Sequence, residues 1–139
     1  MPINKQDTIC APATIPGTGA ISVIRLSGPE ALSIADKVVT CNGTPLSSTD
    51  GYRIRYGTVL DNDGETVDNV LVSVFRAPHS YTGEDSAEIS CHASGYIVQT
   101  IIGLLLDAGA RSAGPGEFTR RAFVNGKMDL AQAEAVASS

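Results

Sequence analysis

Two periodicities divide the chain. Alternation at every second residue predicts strands at residues 7–11 (D-T-I-C-A), 52–60, 69–75 and 86–91. The last of these is the cleanest, with Ala87, Ile89 and Cys91 on one face and Ser86, Glu88 and Ser90 on the other. Residues 21–26 (I-S-V-I-R-L) form a further β-rich run, mostly apolar on both faces, with Arg25 inside it. Asp61-Asn62-Asp63-Gly64 supplies a hairpin-type turn between the two middle strands. A period of 3.6 takes over elsewhere. Leu32, Ala35, Val38 and Val39 give an inward face to a helix started by Ser27-Gly28-Pro29-Glu30. A second helix runs from about Gly95 to Asp107, capped by Ser94 and closed by Gly109, with a short edge strand expected at residues 110–113. Residues 13–19 form a Gly- and Pro-rich loop, residues 40–51 a polar loop without a motif, and residues 77–85 (A-P-H-S-Y-T-G-E-D) a third loop.

The densest local signals lie in residues 114–139. Pro115 opens a helix whose buried stripe is Phe118 and Ala122, and Glu117 precedes Arg120 and Arg121 by one turn, so opposite charges are expected to meet on its exposed side. Asn125-Gly126 ends it. Asp129, with Gln132 three residues later, carries the capping-box pattern of another helix striped by Leu130, Ala133, Val136 and Ala137. Lys127 is pinned in the tight link between the two. No stop signal follows, so the chain reads as a piece of a larger protein. The order β-β-α-β-β-β-α-β-α mixes hairpins with crossovers and predicts an α+β fold, a mixed or antiparallel sheet with helices packed against it.

Composition narrows the function classes. Ten basic against fifteen acidic residues leave a net charge of -5, which disfavours a broad phosphate-neutralising surface and predicts little direct nucleic-acid binding. Three cysteines, an odd number without metal spacing, fit a reduced cytoplasmic protein. The longest apolar run, around residues 101–106, is too short to span a membrane.

Three residues stand out chemically. Arg25 is a charge in an apolar run, expected to need a partner: either a structural ion pair with Glu30 or Asp7, or a ligand. Glu88 sits mid-strand on a polar face that could line a pocket. Lys127 is a cation held by caps on either side. His79, Glu84, Asp85, Glu88 and His92 fall close together but match no standard metal-ligand spacing, and a metal hydrolase is the weakest reading. No phosphate-binding G-x-x-x-x-G-K-[ST] is present, and the Gly17-x-Gly19 turn alone carries little.

Three stretches carry a family likeness. Residues 7–28 (D-T-I-C-A-P-A-T-I-P-G-T-G-A-I-S-V-I-R-L-S-G), 78–92 (P-H-S-Y-T-G-E-D-S-A-E-I-S-C-H) and 115–136 (P-G-E-F-T-R-R-A-F-V-N-G-K-M-D-L-A-Q-A-E-A-V) together resemble the N-terminal domain of the tRNA modification GTPases MnmE (TrmE). The resemblance implies a fold similar to the folate-binding domain of the glycine-cleavage aminomethyltransferase. It also implies binding of 5-formyltetrahydrofolate or a related one-carbon tetrahydrofolate, with Arg25, Glu88 and Lys127 at the positions that contact it. It further implies that residues 1–127 form this folate-binding domain, through which a homodimer forms, and that residues 128–139 are the start of a truncated helical domain. The full-length family protein acts with the flavoprotein MnmG on the wobble uridine of tRNA, and its inserted GTPase domain uses GTP, Mg²⁺ and K⁺. That domain is absent here, so these residues are expected to be inactive alone. A ligand-free dimerisation or scaffold module is the alternative. The chain departs from the family pattern at His92-Ala93-Ser94-Gly95, where an H-G-G-P-type turn is usual, and at Thr18, where a basic residue is common.

Overall fold

The computed structural model describes residues 7–13 and 19–137; Gly17, Thr18 and the side chain of Ala137 lie outside them. The strands are β1 (Ile9–Pro12), β2 (Ile21–Ser27), β3 (Val39–Cys41), β4 (Arg53–Leu60), β5 (Thr66–Phe75), β6 (Ser86–His92) and β7 (Arg111–Ser112). The helices are α1 (Ala31–Val38), α2 (Gly95–Asp107), α3 (Glu117–Val124) and α4 (Leu130–Ala137). The strands form one sheet in the order β3-β4-β5-β6-β2-β1-β7. Among the described residues only β1 and β7 pair in parallel; the other neighbours are antiparallel. The architecture is the expected α+β.

Alternation along the strands sorts the side chains onto two faces. Ile24 and Leu26 of β2, Val70, Val72 and Val74 of β5, and Ala87, Ile89 and Cys91 of β6 point to one face and are buried. Against them pack Leu32, Ile34, Ala35 and Val38 of α1 and Ile101 and Leu105 of α2. Among the described residues, the opposite face is covered at one end only. There Ile9 and Ser27, paired across β1 and β2, are fully buried together with Ala122 of α3. Further along, Ile54, Tyr56 and Leu71 remain exposed on β4 and β5.

The turns follow their sequence signals. Asp61 Oδ1 accepts from the N–H groups of Asp63 and Glu65, and Gly64 takes φ +80° to close the hairpin. Ser94 caps α2 by accepting from the Ile97 N–H at 3.3 Å. The α4 capping box forms in both directions: Asp129 N–H donates to Gln132 Oε1 and Gln132 N–H to Asp129 Oδ1, each at 2.8 Å. Leu130, Ala133 and Val136 of α4 do not reach the core. With Pro115 and Phe123 they line an open groove of about 590 Å³ against α3.

Several expectations need correction. The polar loop at residues 40–51 contains the end of β3 and a turn of 3₁₀ helix at Leu46–Ser48, whose Leu46 is fully buried. Val39, expected on the face of α1, is the first residue of β3. Helix α1 begins at Ala31, two residues past Pro29, and the Thr8 hydroxyl accepts from the Glu30 N–H at its start. Helix α3 begins at Glu117, because Gly116 at φ +67° breaks the path from Pro115.

Gly28 joins β2 to α1 at φ +144°, and a Cβ there would lie 2.6 Å from Thr8 Cα. Both the backbone angle and the close approach of two chains require glycine. Gly28→Ala should lower unfolding stability by about 1–3 kcal/mol in denaturant titrations. Unchanged stability would mean that the β1–β2 edge yields freely.

Candidate ligand-binding site

The site is built on the partly open face of the sheet. Strand register sets Ile54, Ser73, Glu88, Arg25 and Ala11 in one row across five strands. Arg25 and Glu88 are therefore direct cross-strand neighbours, and Arg25 Nε donates to Glu88 Oε2 at 3.0 Å. This corrects the partner, Glu30 or Asp7, expected for Arg25 if it formed a structural ion pair rather than meeting a ligand. The pair is half-buried, with side-chain exposures of 24% and 30%. Two aromatic rings close on the guanidinium: Tyr81, 4.9 Å from ring centroid to Cζ, and Phe118, 5.5 Å away. Among the described residues, Arg25 Nη1 and Nη2 and Glu88 Oε1 have no further hydrogen-bond partner. Four N–H donors of a planar fork thus stand beside a free carboxylate oxygen.

Lys127 arrives from the end of α3. Gly126 at φ +76° turns the chain, its N–H donates to Phe123 O at 3.1 Å, and the Lys127 N–H donates to Ala122 O at 2.8 Å. That is the paired closure of a Schellman motif, as Asn125-Gly126 led us to expect. The Lys127 stem packs against Gly83, where a Cβ would stand 3.2 Å from Lys127 Cγ. Asn125 Nδ2 donates to Thr82 O at 2.8 Å. The loop at residues 77–85 therefore contacts two of the candidates: Tyr81 touches Arg25, and Gly83 touches Lys127. Arg25 and Glu88 meet directly. Lys127 hydrogen-bonds to neither, and its side chain is exposed.

A cluster of buried charge fastens this assembly. Arg121 donates to Asp7 O, Asp7 Oδ1, Glu84 and Glu117, at 2.6–3.3 Å. Arg111 adds Nη2 to Glu117 Oε2 at 2.6 Å and Nε to Asp7 Oδ2 at 2.5 Å. Glu117 and Arg121 are 5% and 9% exposed. The charges expected on the outside of α3 are thus mostly inside; only Arg120 stays out, because Arg111 and Asp7 arrive from β7 and the start of β1 to meet the others. The Arg111 hydrogen bonds, outweighing burial, hold Glu117 down to about 2. Asp7 is lowered too, chiefly by Arg111.

The proposed metal cluster is not assembled. His79 lies against Tyr52, Glu84 binds Arg121, Asp85 binds Arg76, Glu88 binds Arg25, and His92 Nδ1 meets Asp68 Oδ1 at 2.8 Å. Among the described residues no group of three or more such side chains could hold a metal ion. Tyr81 and Arg121 were missed as site-forming residues. The quoted motifs contain both, but Arg25, on which Tyr81 packs, and Asp7, which helps to bury Arg121, lie 56 and 114 positions away, beyond any local signal.

Residues 8–127 match the family model described as GTP-binding protein TrmE N-terminus. The chain belongs to the TrmE N-terminal family. Among curated relatives, the tRNA modification GTPase MnmE of Bacteroides fragilis is 57% identical over 96% of this chain and 29% of its own length. The MnmE proteins of Parabacteroides distasonis and Moorella thermoacetica are each 54% identical, over 95% and 94% of the chain respectively, again across 29% of their own length. The chain spans less than a third of these relatives.

Glu117 gives this TrmE-type domain a defined acid limit. Its carboxyl ionises at about 2 when folded against an ordinary value of 4.5. The lowered value adds stability that is fully present above about pH 4.5 and fades as the pH falls toward 2, by on the order of 3 kcal/mol in all. Unfolding free energy measured across that window should drop, and Glu117→Gln should flatten the slope while lowering stability at neutral pH. An unchanged slope in Glu117→Gln would assign acid sensitivity to other carboxylates.

Proposed function

We propose that this chain is the folate-binding and dimerising N-terminal part of a tRNA modification GTPase. The observation that carries the reading is the Arg25–Glu88 pair, with Arg25 and Lys127 both held against the 77–85 loop, in a member of the TrmE N-terminal family. The ligand we assign is 5-formyltetrahydrofolate or a related one-carbon tetrahydrofolate. A pterin presents a carbonyl acceptor beside ring N–H and amino donors along one edge. The Arg25 fork and the Glu88 carboxylate offer the complementary donors and acceptor. Lys127, exposed and further out, suits the formyl oxygen or the anionic tail. In the longer protein this part would act with MnmG and GTP on the wobble uridine of tRNA in the cytoplasm. GTP, Mg²⁺ and K⁺ belong in this proposal to the rest of that protein, since the sequence here has no phosphate-binding loop. Among the described residues no helix is long and apolar enough to cross a membrane.

Dimerisation is drawn to the open end of the sheet. Ile54, Tyr56 and Leu71 are 68%, 63% and 48% exposed, and Tyr56 and Leu71 are direct cross-strand neighbours. Uncovered apolar side chains in a row on a sheet favour a partner surface. Sedimentation at micromolar concentration should give a dimer, and the pair Tyr56→Glu with Leu71→Glu a folded monomer. A monomeric parent at high concentration would count against the dimer.

Glu88→Gln tests the ligand. It keeps the shape but replaces one acceptor oxygen by a donor that faces a donor of the pterin. Calorimetric titration with 5-formyltetrahydrofolate should show affinity about ten- to a hundred-fold weaker, with a nearly unchanged melting temperature in the absence of ligand. Arg25→Ala should weaken binding and also lower stability, because Tyr81 and Phe118 lose the group they pack on. Parental affinity in Glu88→Gln refutes the pterin assignment. Failure of the parent to bind leaves the ligand-free dimerisation module as the reading.

A further inference from the structure

We propose that Tyr81, aided by Phe118 on the same guanidinium, is the specificity-determining residue of this site: its ring holds the Arg25 fork in place for a flat heteroaromatic edge. The inference rests on the folate reading above. An arginine side chain has many rotamers, and a fork left free must be immobilised when a ligand arrives. Here Glu88 fixes one corner through Nε at 3.0 Å. That single bond leaves the guanidinium plane free to turn. The plane is restrained by Tyr81 at 4.9 Å and Phe118 at 5.5 Å, rings brought by two different parts of the fold.

Tyr81 is the adjustable member. Phe118 is half-buried on α3, whereas Tyr81 is 39% exposed at the rim and rides on the loop at residues 77–85. Its hydroxyl hydrogen-bonds Thr119 Oγ1 at 2.9 Å, and the next residue, Thr82, is fastened to Ser27 and Asn125. The ring therefore stands at a fixed place against the guanidinium whose Nη1 and Nη2 have no partner among the described residues. A flat ligand edge docking on Nη1 and Nη2 would meet an aromatic neighbour there, while a flexible anion would gain only the charge. Tyr81 should accordingly favour pterins over simple carboxylates.

The experiment measures binding of 5-formyltetrahydrofolate, of a pterin lacking the tail, and of p-aminobenzoylglutamate to the 139-residue chain and its variants. Tyr81→Leu should weaken the first two about ten-fold and leave the third unchanged. Tyr81→Phe, which keeps the ring and loses the hydroxyl, should stay within about three-fold of the parent. Phe118→Leu provides the same readout if Tyr81→Leu does not fold. Parental pterin affinity in Tyr81→Leu overturns the clamp and leaves the folate reading standing. Equal loss in Tyr81→Phe and Tyr81→Leu reduces Tyr81 to a hydroxyl tether for α3, which also overturns it. A parent that binds none of the three probes sinks the folate reading and the clamp together.

Discussion

The burial of Arg121 is the constraint on which the site depends. An arginine 9% exposed is tolerable only with its hydrogen bonds satisfied, and Arg121 finds acceptors on three segments: Asp7 ahead of β1, Glu84 at the end of the 77–85 loop, and Glu117 one turn earlier on α3. Removing any one carboxylate would leave buried positive charge short of a partner. The helix, the loop and the first strand are therefore locked in one arrangement. Phe118, three residues before Arg121, and Tyr81, three before Glu84, inherit their positions from that lock. Hydrophobic packing on this side contributes less, since Ile9 and Ala122 are its only fully buried apolar side chains among the described residues that do not join the main core.

A second constraint is backbone geometry. Helix α3 closes with Gly126 in the left-handed region and α4 opens two residues after Lys127 with a reciprocal capping box. The lysine sits between two self-satisfied ends, so its Cα is fixed although its ammonium is exposed. Gly83, at φ +83° with no Cβ to push against Lys127 Cγ, lets the loop approach that fixed point. The placement of this cation thus follows from short-range chemistry, whereas that of Arg25 needs the whole sheet.

This difference explains what could be read along the chain. The hairpin at Asp61–Gly64, the Ser94 cap, the Schellman closure at Gly126 and the Asp129–Gln132 box each depend on residues within five positions of one another, and each formed as its signal implied. Strand β3 was missed because three residues, Val39–Cys41, are too few to display a period, and their pairing with β4 is a long-range matter. The outward charges of α3 were misjudged for the same reason: periodicity shows that Glu117 and Arg121 share a side of the helix, but only Asp7 and Arg111 make that side an interior. Arg25, Glu88 and Lys127 could each be singled out, the first by charge in an apolar run, the second by its polar face, the third by its caps. That Arg25 would choose Glu88 over Asp7 required the β2–β6 register, in which the two stand opposite.

The energetics of that pair bear on its purpose. An ion pair with both side chains about a quarter exposed contributes only about 0–1 kcal/mol to stability. Arg121 and its carboxylates already fasten the neighbouring segments, so the fold has little need of a second, weaker tie there. Glu88 instead restrains one nitrogen of Arg25, and the aromatic rings restrain its plane, while the remaining donors and one carboxylate oxygen have no partner among the described residues. Such a group stabilises the empty protein less than it organises recognition, because its ordering is largely complete before a ligand arrives. A structural ion pair would be expected to spend both nitrogen edges on the protein, as Arg121 does. Arg25 spends one.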